Sequence, residues 1–146
     1  MGLRRDLRRA RSLSLRTWAD LARAAAELGF ARIRLARLAA GDLVGQDASR
    51  TVPSRQADSH DDAPMIDRVA FAIPHMGARV PWKGTCLVQA LAAQRWLARH
   101  GVASEIVLGA RKTGEDGIDA HAWLKAGDRI VVGGDVDGYQ PFKRRP

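Results

Sequence analysis

A chain of 146 residues with 46% hydrophobic side chains is long enough to bury one core and shows no mark of wholesale disorder. No apolar run approaches the roughly 20 residues that span a bilayer, and a single cysteine excludes an internal disulfide framework or a cysteine-based zinc finger. The formal charge of +8 is concentrated at the start, where Arg4, Arg5, Arg8, Arg9, Arg11 and Arg16 face only Asp6.

That basic cluster fits a solvated helix face, or a surface for an acidic partner protein, nucleic acid or an anionic membrane. Aromatic residues make up 5% of the chain, none interleave with the arginines, and no nucleic-acid signature occurs, which argues against nucleic acid. Arginines interrupt Leu3, Leu7, Leu13 and Leu15, so no signal-peptide core forms, and no membrane insertion is expected. Met1-Gly2 would open a myristoylation signal, but Asp6 stands where Ser or Thr is needed. The expected localisation is cytoplasmic. His60, His75, His100 and His121 are too dispersed to read as a metal site, and no cofactor is expected.

Residues 1–41 read as an N-terminal helical region. Leu21, Ala25, Leu28, Arg32, Leu35 and Leu38 recur at helical spacing, with Gly29 as a break between two helices. Residues 42–63 turn polar, rich in Gly, Ser and Asp, and read as a loop or linker. The remainder, 64–146, reads as the core domain. Its first helix starts near Pro64, capped by Asp61 or Asp62, with Ile66, Val69, Ala70 and Ile73 as its apolar stripe.

Next, Thr85 or Gly84 caps a helix from about Cys86 to His100, with Leu87, Ala90, Leu91, Gln94 and Leu97 as the buried stripe and Gly101 as its stop. Val102–Gly109 reads as a strand and Arg111–Gly117 as a turn-like segment. Ala120–Leu124 and Arg129–Val132 are short strands joined by a turn at Ala126-Gly127-Asp128. A helix followed by an antiparallel β-meander is an α+β fold.

A free thiol is only a few per cent thiolate at neutral pH. A helix N-terminus, with its unpaired amides and partial positive charge, favours the anion, and a nearby imidazolium favours it further. Cys86 stands where that chemistry needs it. His121, early in the strand beginning Ala-His-Ala-Trp, would supply the base, the papain-type geometry. With the three-residue turn, Lys125 pairs with Arg129, Trp123 with Val131 and His121 with Gly133. Asp135 then shares the face of His121 at a diagonal of roughly 7–8 Å, so it is the candidate third member. Asp128 lies at the wrong end of the hairpin and Asp137 farther along. The amide of Cys86 and the indole N–H of Trp82 are candidate oxyanion donors.

The segments VPWKGTCLVQALAAQRWLARHGV, SEIVLGARK and AHAWLKAGDRIVVGG, within residues 80–134, resemble the transglutaminase-like cysteine peptidase, the leader peptidase, of lasso-peptide biosynthesis. The resemblance implies a papain/transglutaminase-like core with Cys86 and His121 as nucleophile and acid/base, and, with looser alignment, Asp135 as the acid. It implies removal of the leader segment from a ribosomally made precursor peptide, after which a separate ATP-dependent macrolactam synthetase closes the ring. With no room in the chain for a leader-recognition domain, it also implies a separate recognition protein. Two alternatives remain open on these residues: acyl transfer on the same scaffold, and a non-catalytic basic module binding peptide or nucleic acid.

Overall fold

The computed structural model describes residues 14–41, 62–82, 84–114 and 117–142. The arginine cluster before Ser14 and most of the expected 42–63 linker lie outside them. Among the described residues three helices come first: α1 over Leu15–Gly41, α2 over Ala63–Gly77 and α3 over Cys86–Arg99. Four strands follow, β1 over Glu105–Thr113, β2 over Gly117–Ala126, β3 over Arg129–Val132 and β4 over Gln140–Pro141. They form one antiparallel sheet in the order β3-β2-β1-β4. The α+β architecture is as expected.

Helix α1 runs unbroken through Gly29, where a break was expected. The packing explains it: Leu21, Ala24, Leu28 and Ala31 are buried in one core with α2 and α3, and this tertiary support outweighs the roughly 1 kcal/mol by which a helical glycine weakens the helix. The same helix carries two buried carboxylates, each met by an arginine of another helix. Asp20 accepts a bidentate pair from Arg68 of α2, at 2.9 Å from Nε and 2.5 Å from Nη2. Glu27 accepts from Arg95 of α3 at 2.8 Å. The hydrogen bond to Asp20 raises the Arg68 pKa above its ordinary value.

Helix α3 is buried over a wider arc than its sequence stripe suggests. Val88, Ala90, Ala92, Ala93, Trp96 and Leu97 are all sequestered, whereas Leu87, Leu91 and Gln94 are only half-buried. The reason is that α1 and α2 pack against it on one side and the sheet on the other. Its ends are set locally. Thr85 Oγ1 accepts from the Val88 amide at 3.4 Å, and the amide of Val102 returns to the Leu97 carbonyl at 3.0 Å across Gly101.

The hairpins depart from the expected boundaries. Strand β1 continues through Arg111 and Lys112 to Thr113, and β2 already starts at Gly117, so the expected turn-like segment is mostly ladder. Ala126 pairs with Arg129, which leaves a two-residue turn of Gly127 and Asp128 where three residues were expected. A bulge then shifts the register, so Lys125 pairs with Ile130 but Leu124 with Val132. Strand β4 was not foreseen. It adds to β1 through Gly109–Pro141 and Ala110–Gln140, with the Phe142 amide donating to Leu108.

Truncating Arg68 strands Asp20 in a site that is 7% exposed. Arg68→Ala is expected to destabilise the fold by about 2–3 kcal/mol, below the full figure for a deeply buried pair because Arg68 itself stays partly wetted. Urea unfolding of the two proteins measures it.

Candidate active site

Cys86 is the first residue of α3, half-buried, with its thiol beside the first turn. Thr85 takes up the amides of Val88 and Gln89 through its hydroxyl and carbonyl. The first amides of a helix, here those of Cys86 and Leu87, have no partner within the helix and point their partial positive charge at whatever lies ahead.

What lies ahead is a cleft of about 470 Å³. Ala70 and Pro74 of α2 form one wall, and Ile130 to Gly134, from β3 and the turn after it, form another. Cys86, Gln89 and His121 supply its polar groups. The two residues expected to do chemistry therefore share one cavity. Among the described residues, no three His, Cys, Asp or Glu side chains converge as a metal ion would require.

His121 sits in β2 with its Nε2 at 2.6 Å from the carbonyl oxygen of Gly133. A carbonyl can only accept, so Nε2 carries a proton in both charge states of the ring. Nδ1 is then the nitrogen left to take up or release a proton. Gly133 can reach this position only as glycine: its φ is +120°, and a Cβ there would lie 2.8 Å from Trp123 Cα.

Asp135, the expected acid, is exposed and lies just beyond β3. Asp135 Oδ1 accepts from the Asp137 amide at 2.9 Å, a local turn contact, and the group that meets the imidazole is the Gly133 carbonyl. The physical reason is that the ladder ends at Val132 and the chain turns out of it through Gly133 and Gly134, both at positive φ, so Asp135 follows in the segment beyond β3. Asp137 likewise sits in the exposed turn after β3, and Asp128 lies in the hairpin turn. Trp82 is not at the cleft. Its ring lies near Gly29 of α1, and its Nε1 is buried with no hydrogen-bond partner among the described residues.

Three groups beside His121 were not singled out from the sequence. Tyr139 packs its ring, tilted by 37°, with its centre 5.0 Å from that of the imidazole, and its hydroxyl donates to Asp119 Oδ2 at 2.5 Å. Arg111 closes the cluster, with Nη2 3.3 Å from the same Asp119 oxygen and its guanidinium carbon 4.6 Å from the Tyr139 ring centre. The hydrogen bond from Tyr139, and then the charge of Arg111, hold the Asp119 carboxyl below its ordinary pKa. The same bond raises the Tyr139 phenol. Gly109 admits this arrangement, because a Cβ there would lie 2.7 Å from the Trp123 ring and 2.8 Å from the Gln140 carbonyl. Gln89 is a fourth residue that sequence reading passed over. Its Nε2 donates to the Gly84 carbonyl at 2.8 Å, one turn along α3 from Cys86.

A family model described as the transglutaminase-like superfamily matches residues 24–144 of the chain. No curated protein and no solved structure matches it.

Two outcomes follow from this geometry. Gly133→Ala, forced into a left-handed conformation against Trp123, should cost about 1–3 kcal/mol in thermal unfolding. The chain holds one tyrosine, so an ultraviolet absorbance titration reads Tyr139 alone. Phenolate should form above the ordinary tyrosine range in the native protein and return toward it in Asp119→Asn, where the accepting group no longer carries charge.

Proposed function

The chain belongs to the transglutaminase-like superfamily, and we propose that within it Cys86 and His121 form the nucleophile and acid/base of a cysteine peptidase that removes the leader from a lasso precursor peptide. Members of this superfamily are generally cysteine-dependent enzymes, and membership is consistent with peptidase or acyl-transfer chemistry. The observation that carries the reading is that the helix-start thiol and a histidine with an assigned proton open on one cleft beside an edge strand.

The cleft suits an extended peptide. Strand β3 is one of the two outer strands of the sheet, the one that lines the cleft, and an edge strand offers unpaired backbone groups to a chain laid alongside it. Apart from Cys86, Gln89 and His121, the cleft is lined by apolar side chains and glycine, which accommodates uncharged residues around a scissile bond.

In this mechanism Cys86, as thiolate beside the His121 imidazolium, attacks the carbonyl at the leader–core junction. The oxyanion meets the Cys86 amide and the remaining amide proton of Gln89, which takes the role first assigned to Trp82. His121 delivers its Nδ1 proton to the departing core amine as the carbon–nitrogen bond breaks. Water then attacks the thioester, gives its proton to His121, and frees the leader carboxylate. Asp135 enters none of these steps in the conformation described. A separate recognition protein would present the leader, and the macrolactam synthetase would consume the freed core amine. The basic N-terminal residues are a candidate docking surface for either.

Cys86→Ala should abolish leader removal from the cognate precursor while leaving the circular dichroism spectrum and melting temperature near those of the native protein. Persistent cleavage by that variant would sink the assignment. Mass spectrometry of the native reaction separates the two chemistries: a free leader carboxylate means hydrolysis, and an amide conjugate means acyl transfer.

A further inference from the structure

We infer that Tyr139, clamped by Asp119 and Arg111, is a positioning residue for His121, and that this aromatic strut together with the Gly133 carbonyl does the orienting work of a triad carboxylate. The inference rests on His121 serving Cys86 as its base, and it does not depend on what the substrate is.

Orienting an imidazole requires fixing its plane as well as one of its nitrogens. The hydrogen bond from Nε2 to Gly133 fixes the nitrogen but leaves the ring free to pivot about that contact. A ring packed against its face removes the pivot, and Tyr139 supplies one tilted by 37° with its centre 5.0 Å away. Tyr139 is itself pinned. Its hydroxyl is held by Asp119, its face is covered by Arg111, and β4, which begins at the next residue, is hydrogen-bonded to β1. Trp123, 6.1 Å from His121 and 6.3 Å from Tyr139, completes the packing.

The alternative is that Asp119 acts by its charge, as a triad acid would. The geometry argues otherwise. Asp119 spends its Oδ2 on Tyr139 and Arg111, and the arginine cation beside it offsets its field at the imidazole. Both partners of that ion pair are more than two-fifths exposed, so water screens what is left. Among the described residues, the charged and titratable groups whose contacts bring them to His121 are Cys86, which lines the same cleft from α3, Asp119 on its own strand, Arg111 from β1 and Tyr139 ahead of β4. The carboxylate of Asp135 is turned to the Asp137 amide.

The test uses the single cysteine. Iodoacetamide alkylates Cys86 alone, and its rate at about pH 6 reports the thiolate kept by a well-placed imidazolium, whereas at about pH 9 the thiolate forms without help. Tyr139→Leu should lose about tenfold or more of the rate at the lower pH and stay within about twofold at the higher. Tyr139→Phe, which keeps the ring but frees it from Asp119, should fall in between and guards against a leucine variant that does not fold. Asp119→Asn should remain within about threefold of native, because its amide oxygen still accepts from the hydroxyl. The inference is overturned if both folded tyrosine variants keep the native pH profile, or if Asp119→Asn falls as far as Tyr139→Leu. A loss in Asp135→Asn with none in the tyrosine variants overturns it in favour of the loop acid. A native protein with no extra reactivity at low pH removes the base and the inference together. Failure to cleave a lasso precursor, with the alkylation pattern intact, removes only the peptidase reading.

Discussion

The contact between His121 Nε2 and the Gly133 carbonyl sets the terms for everything around it. An oxygen that can only accept dictates which nitrogen bears the proton, and so which nitrogen remains to work in the cleft. Holding that oxygen in place demands a residue without a side chain, because Trp123 occupies the space a Cβ would need. Trp123 in turn fits only because Gly109 on the neighbouring strand is also bare, and the same bareness lets the Gln140 backbone close over β1. Closure brings Tyr139 onto the imidazole. Two glycines and one tryptophan thus transmit the demands of one hydrogen bond across three strands.

The thiol is placed by different means. Helix α3 cannot shift along its axis, since it is enclosed by α1 and α2 on one side and the sheet on the other, with Ala92, Ala93 and Trp96 fully buried. Buried carboxylates of α1 reinforce this, with Glu27 tied to Arg95 and Asp20 to Arg68. The nucleophile therefore belongs to the rigid helical half and the base to the sheet. The cleft is the seam between them, with α2 contributing Ala70 and Pro74 to its wall.

Local signals in the sequence carried well where local physics decides the outcome. Thr85 as cap, Cys86 as first helical residue and Gly101 as stop were legible because each depends on a few adjacent residues. The hairpin register was not, because a shorter turn and a bulge near Val131 each displace the pairing by one, and no periodicity announces either. Strand β4 is two residues long and contains a proline, so no pattern could mark it. Asp119, two residues before His121 on the same strand, shares its face by alternation, so the partner that holds Tyr139 could be read from the pattern, whereas the return of Tyr139 itself depends on β4. Gln89 follows Cys86 by three residues, so one helical turn brings it alongside the thiol, a cue as local as the cap.

Strand β4 holds to β1 over only two residue pairs and one further amide bond at Phe142. Such a segment opens far more readily than the strands it covers, so its amides would exchange with solvent through local fraying while those of β2 wait for global unfolding. The helices of the core join residues 48 and 68 apart in sequence, and Tyr139 lies nearer to His121 than that, so the few bonds of β4 rather than chain separation leave the docking of this ring the least secure step. Competence would then lag behind compactness: a chain already folded by bulk spectroscopic criteria would hold its thiol and imidazole in one cleft before the ring that steadies them has docked.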